Sequence, residues 1–185
     1  MTVLTVYPDN APQNGVTLRD IDTISNELGR IGVQFERWQA DCAFASDADA
    51  DSVLNAYQSS IARLKQHYGF QSVDVISLKP DHPNKQALRQ KFLAEHTHAD
   101  FEVRFFVEGK GLFFLHAGSQ VHALLCEQGD LISVPADTPH WFDMGENPDF
   151  KCIRLFTTED GWIADFTGSD IALRFPTFDQ YLATV

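Results

Sequence analysis

Residues 95–113 read EHTHADFEVRFFVEGKGLF. A short apolar run, EVRFFV at 102–107, is followed by Gly109-Lys110-Gly111 and then by a second run, GLFFLH at 111–116. Runs of β-branched and aromatic residues separated by a glycine turn read as antiparallel strands. The pattern continues outward. VHALLC at 121–126, DLISV at 130–134 and KCIRLF at 151–156 follow, and VDVISL at 73–78 precedes. The intervening breaks, Ala117-Gly118-Ser119-Gln120 and Glu127-Gln128-Gly129, are short and contain glycine. Successive strands are therefore expected to be hairpin partners, and strands so evenly spaced predict an antiparallel sandwich or barrel.

Upstream of Lys79 the period is helical. Residues 17–31 begin with Thr17 and Asp20, a weak capping box, and set Ile21, Ile24, Leu28 and Ile31 on one face. Residues 50–68 repeat this with Val53, Tyr57, Ile61, Leu64 and Tyr68, and Gly69 is the expected stop. A third helix is expected from Pro83 to about Glu95. The fold class is mainly β with added N-terminal helices.

With 185 residues, 44% hydrophobic and 15 of them Phe, the chain is sized for one domain with a substantial core. A net charge of -12 repels nucleic acid and anionic membranes over most of the surface. The longest stretch free of charged residues, Gly111 to Cys126, is too short and too polar to span a bilayer. MTVLTVYPDN has no basic region followed by an apolar run, so no secretory signal is expected. Cys42, Cys126 and Cys152 are odd in number and lack metal-site spacing. They read as reduced thiols of a cytoplasmic protein.

The chemistry concentrates in the histidines. Seven His in 185 residues give roughly 0.26 His-x-His pairs by chance, and a Glu at one fixed later position lowers this to roughly 0.01. On an extended segment His96, His98, Glu102 and Arg104 share parity, provided no bulge or turn intervenes. Two imidazoles and a carboxylate on an inner face make a nitrogen and oxygen donor set for octahedral iron, nickel or manganese, or for catalytic zinc. The bland alternative is a solvated histidine pair at a strand start. His140 follows a strand and a turn stiffened by Pro135 and Pro139, which would hold one more ligand at little ordering cost. Taken alone, it reads equally well as a surface residue.

His96-x-His98-x-x-x-Glu102 followed by Gly109 resembles the first cupin motif, and Gly129, Pro135 and His140 resemble the second. Two positions depart from it: Gln90 and Asp137 stand where glycine is usual. FERWQA at 35–40, DVISL at 74–78, residues 95–113, LISVPADTPHWFDMG at 131–145 and GWIADFTG at 161–168 make the likeness closer. Over nearly the whole chain the sequence resembles the acireductone dioxygenase family, with Phe101 where several relatives have a more polar residue.

This resemblance implies a cupin barrel, a double-stranded β-helix or jelly roll. Residues 1–185 would form a single cupin domain, with helical elaboration over about 1–95 and the barrel over about 70–157. It implies one Fe(2+) or Ni(2+) per chain, held by His96, His98, Glu102 and His140. It also implies methionine salvage, an acireductone and dioxygen as reactants, and Arg104 as the group stabilising the substrate dianion. The chain is expected to act as a monomer, without nucleic acid or membrane. The other reading of Arg104 is an ion pair with Glu95 or Glu108. Phe92 and Phe142 flank the motifs as candidates for the tail pocket, or as ordinary core aromatics. Glu95 is a candidate to orient a ligand or assist metal loading, or else a solvated helix end. His116 and His122 read as structural, and His67 and His82 as surface residues. The acidic run at 41–51 reads as a solvated loop rather than a calcium site.

Two other classes compete. A phosphate-binding isomerase needs several cavity cations, whereas the strands offer mainly Arg104 and Arg154. A quercetinase-like dioxygenase remains within the same metal chemistry. A non-catalytic binding cupin need not keep all four donors.

Overall fold

The computed structural model describes residues 1–45 and 47–185, with all their side chains except that of His67. The surface expectation for His67 lies outside what is described. In chain order the strands are β1 (Val3–Pro8), β2 (Val16–Leu18), β3 (Gln34–Arg37), β4 (Ser72–Leu78), β5 (His96–Thr97), β6 (Glu102–Ala117), β7 (Gln120–Glu127), β8 (Asp130–Val134), β9 (His140–Asp143), β10 (Phe150–Phe156) and β11 (Asp165–Phe166). The helices are α1 (Ile21–Arg30), α2 (Ala50–Ala56), α3 (Gln58–Tyr68), α4 (Lys85–Leu93) and α5 (Phe178–Leu182).

The architecture is the expected mainly-β barrel with helices on its outside. One face runs β11-β5-β9-β6-β7-β1-β2. The other runs β4-β10-β6-β8-β3, so β6 belongs to both. All its pairings are antiparallel. This corrects the reading of 102–107 and 111–116 as hairpin partners: they are two halves of one bent strand. Gly109 has φ +71, and a Cβ there would lie 1.9 Å from Asp149 O. The register with β10 slips between Lys151 and Cys152, leaving Val107 as an extra residue. A bulge of this kind bends a strand without reversing it. Inward positions accordingly change parity. Glu102, Arg104 and Phe106 precede the bend, and Phe113 and Leu115 follow it.

Glu127-Gln128-Gly129 likewise is not the hairpin turn expected from the sequence. It joins β7 to β8, but β8 pairs with β3 and β6 instead of β7. The turn is a corner between sheets, held by Gly129 N donating to Phe106 O and by Glu127 N donating to Asp130.

Three apolar layers result. Leu4, Leu28, Phe106, Phe113, Leu124, Phe142 and Phe150 fill the barrel. Leu112, Phe114, Val121 and Trp141 face outward against Phe175, Phe178 and Tyr181 of the C-terminal segment. Val103, Phe105, Leu131, Ile153 and Leu155 pack against Val53, Tyr57, Ile61 and Leu64. Strands covered on both faces explain why their sequences read as unbroken apolar runs.

The N-terminal stretch differs in detail from its helical reading. Residues 16–18 form β2 against β1, so α1 starts at Ile21 with Asp20 as cap, its carboxylate accepting from Thr23 N at 2.9 Å. β1 and β3 add strands to the two sheets. The helix expected at 50–68 breaks at Tyr57 into α2 and α3, and Gly69 ends α3 in the left-handed conformation. α4 occupies 85–93, inside the span expected for the third helix. Among the described residues no helix is long and apolar enough to cross a membrane.

Candidate metal centre

His96 and His140 are opposed across β5 and β9, and His98 follows one residue after β5. Glu102 opens β6. The chain bends at 99–100 between His98 and Glu102, so the uninterrupted strand behind the parity argument is absent. The four side chains converge anyway, because the bend and the turn at 135–139 lock together. Asp137 N donates to His98 O at 2.9 Å, and Asp137 itself has φ +59. At the position where glycine is usual, Asp137 adopts the conformation glycine would take, one that Asp tolerates better than most residues.

All four residues are buried. Possible ligand atoms of His96, His98 and His140 lie within 4.8 Å of one another. Glu102 Oε2 is 3.5 Å from Nε2 of both His98 and His140. Each imidazole has its other nitrogen committed. Nδ1 of His96 donates to Ala94 O at 2.8 Å, that of His98 to Ile163 O at 2.9 Å, and that of His140 to Thr138 O at 2.8 Å. A carbonyl only accepts, so Nδ1 carries the proton and Nε2 presents a lone pair. Burial, reinforced by the His140 imidazole, pushes His96 down to about 3, and burial also lowers His98. Both are neutral at physiological pH.

Glu102 supplies the charge. Burial alone would raise its carboxyl, yet Arg104 beside it holds it well below the usual carboxylate range. Arg104 Nε donates to Oε1 at 2.8 Å, leaving Oε2 turned toward the imidazoles. Among the described residues, Nε2 of His98, Nε2 of His140 and Oε2 of Glu102 are buried without a hydrogen-bond partner. Each such group costs about 1–3 kcal/mol when nothing satisfies it. Three lone-pair donors gathered at one point are what a divalent cation satisfies, so these residues fit a metal ion.

Beside them is a cavity of about 200 Å³, lined by Ile76, Leu88, Phe92, His96, His98, Arg104, Arg154, Trp162, Ala164 and Phe166, with Lys91 at its edge. Arg104 lines it as expected, but its ion-pair partner is Glu102 rather than Glu95 or Glu108. Its guanidinium lies 5.0 Å from the Phe113 ring and 5.3 Å from that of Phe142. Phe92 is on the cavity wall. Phe142 sits behind it in the barrel core, edge-to-face with Phe92 at 6.2 Å. Arg154 is committed to Asp74 through two bonds of 3.0 and 2.6 Å, which weakens its candidacy as a phosphate ligand.

Glu95 is buried, so it is not a solvated helix end. Its carboxylate does not touch the histidines of the centre: Oε1 accepts from His116 Nδ1 at 2.9 Å and Oε2 from Thr167 Oγ1 at 2.7 Å. Phe101 stacks on Tyr68 and Phe70. His82 accepts from Asn84 N at the start of α4, and His122 is fully buried in the barrel. Trp162, Ala164 and Phe166 were not among the residues singled out from the sequence for the pocket. Their segment, GWIADFTG, carried the only sequence signal.

The ARD/ARD' family model matches residues 4–164. The chain is 59% identical over 182 residues to an acireductone dioxygenase of Methylococcus capsulatus, covering 98% of each chain. It is 53% identical over 183 residues to one of Aquifex aeolicus, covering 97% of this chain and 98% of the relative. Among solved structures it is similar to an acireductone dioxygenase from Bacillus anthracis with a cadmium ion in its active centre. The TM-score is 0.79 and the identity 28%, over 90% of this chain and 98% of that one.

Proposed function

Since this chain belongs to the ARD/ARD' family, we propose that the cavity beside His96, His98 and His140 is where an acireductone meets dioxygen. The activity is that of an acireductone dioxygenase. The observation that carries the reading is the convergence of buried, unpartnered donor atoms of His98, His140 and Glu102 beside a cavity lined by a cation and aromatic rings.

His96, His98 and His140 through Nε2, and Glu102 through Oε2, would hold one Fe(2+) or Ni(2+). When bound, such an ion supplies Lewis acidity and a template for the two adjacent oxygens of an enediol ketone. The rest falls to the chain. The three Nδ1–H bonds to backbone carbonyls fix the ring orientations. Arg104 keeps Glu102 ionised and brings a cation to the cavity, where it favours the anionic form of the substrate. Phe92, Trp162 and Phe166 give the methylthioethyl tail apolar surface and keep water from the enediolate.

The substrate is 1,2-dihydroxy-3-keto-5-methylthiopentene. Products are 2-keto-4-methylthiobutanoate and formate for the iron-loaded protein, within methionine salvage. For the nickel-loaded protein they are methylthiopropanoate, formate and carbon monoxide. Both metals suit this donor set. The same reading has the chain work as a single-domain cytoplasmic monomer on a small molecule, without nucleic acid or membrane. The test is dioxygen uptake with an acireductone, with products identified for protein reconstituted with each metal. Uptake in neither form would refute the reading.

A further inference from the structure

Residues 157–168 leave the end of β10 and lie along β5, where Phe166 is opposite His96, and beside His98, whose Nδ1 donates to Ile163 O. Trp162, Ala164 and Phe166 make this segment one wall of the cavity. It has little regular structure: β11 is two residues long and pairs with β5. Nor does apolar burial hold it, since Trp162, Ile163 and Phe166 are 48%, 53% and 46% exposed.

Polar contacts hold it at both ends. At the start, Asp100 Oδ1 accepts from Thr157 Oγ1 and from Phe101 N, and Oδ2 accepts from Thr158 N at 2.8 Å and Thr158 Oγ1 at 3.0 Å. The fit is close, for a Cβ on Gly161 would lie 2.3 Å from Asp100 Oδ2. At the end, Glu95 Oε2 accepts from Thr167 Oγ1 at 2.7 Å, and Glu95 O accepts from Thr167 N at 3.1 Å. His116 on β6 fixes the other Glu95 oxygen. Both carboxylates are buried, and every oxygen is engaged. Buried carboxylates are costly, and complete satisfaction is what offsets that cost.

We propose that Glu95 and Asp100 are positioning residues. They clamp the two ends of 157–168 and so fix the wall carried by Trp162 and Phe166, against which the apolar tail of the substrate packs. The identity of that substrate rests on the function proposed above; the clamp rests on the contacts alone. Releasing one clamp loosens the wall at that end, while the bond from His98 Nδ1 to Ile163 O at 2.9 Å still ties its middle to the candidate centre and the other three donor residues have no bond to the segment's side chains. The effect falls on the tail, not on the enediol end.

The test alters the far partner, Thr167 or Thr158, whose side chain bonds to a clamping carboxylate and not to a histidine of the centre. Thr167→Val keeps the shape and removes the donor; Thr167→Ser keeps the donor. Thr158→Val probes the other clamp. Backbone amide exchange across 161–168 is followed in the metal-free protein. Metal content, kcat and KM are measured with the methylthioethyl acireductone and with one bearing a methyl group instead of the tail. Thr167→Val is expected to exchange faster across the segment and to keep its metal. Its KM for the tailed substrate should rise by up to about tenfold, since a bond to a carboxylate is worth about that factor or more to the ordered wall and only part of it is passed to the substrate. KM for the short substrate should stay unchanged, and Thr167→Ser should restore wild-type behaviour. Unchanged exchange, an equal rise in both KM values, or no rescue by serine would overturn the proposal. Absence of turnover in the unmutated protein would instead sink the functional reading, and the exchange rates would still decide the clamp.

Discussion

Arg104 Nε lies 2.8 Å from Oε1 of Glu102, with both side chains buried inside the barrel. The pair joins two roles that the sequence presents as alternatives for Arg104, cavity cation and structural partner. The guanidinium that faces the cavity also keeps a candidate metal donor ionised.

Arg104→Ala should therefore show two effects. The metal-free variant leaves a buried carboxylate unpaired and should lose about 3–5 kcal/mol of stability. Metal loading should offset part of that loss, while turnover falls about a hundredfold to a thousandfold. Arg104→Lys should restore little turnover, because an ammonium does not reproduce the planar fork. Melting temperature, metal content and turnover on one sample check this. A metal-loaded, folded Arg104→Ala protein with unchanged turnover would remove Arg104 from the mechanism.

The metal-free protein should lose stability as pH falls. The unfolded chain protonates His96 near the usual value of 6.5, whereas the folded chain resists until about 3. Between these values the unfolded state binds more protons. The contribution is thus complete above about 6.5 and is lost on acidification by up to about 1.4 kcal/mol per pH unit from this one group. His98 is displaced in the same direction. Urea unfolding at pH 7, 6 and 5 measures the slope, and a flat profile would contradict it.

Asp137 is the described non-glycine residue with positive φ, at +59. Asp137→Gly should be neutral or stabilising by up to about 1 kcal/mol, and Asp137→Val should destabilise by about 1–2 kcal/mol. Thermal melts of both variants decide this. Because Asp137 N also ties His98 to the turn before His140, the valine variant should bind metal more weakly as well.

Much of this was legible in the sequence because the signals are local. Apolar runs mark β4, β7, β8 and β10, and the histidine spacing picks out the centre. Long-range pairing is what escaped. Gly109-Lys110-Gly111 looks like a reversal, and only the partner strand shows a one-residue bulge. Thr17 looks like a cap until β1 claims it for a strand. The partners of Glu95, His116 and Thr167, are 21 and 72 residues away, so its clamping geometry left no local trace. His98 and Glu102 share parity in the sequence, but the bend at 99–100 interrupts the strand, and it is the locked turn at Asp137 that maintains their convergence.

The most direct measurement is metal content per chain, after reconstitution with iron(II) or nickel(II), for the wild type and for His96→Ala, His98→Ala, Glu102→Ala and His140→Ala. One ion per chain is expected in the wild type and severe loss in every variant, with the fold retained because the core does not depend on the ion. A wild type that binds no ion, or any one of the four variants with full metal content and activity, would contradict this expectation.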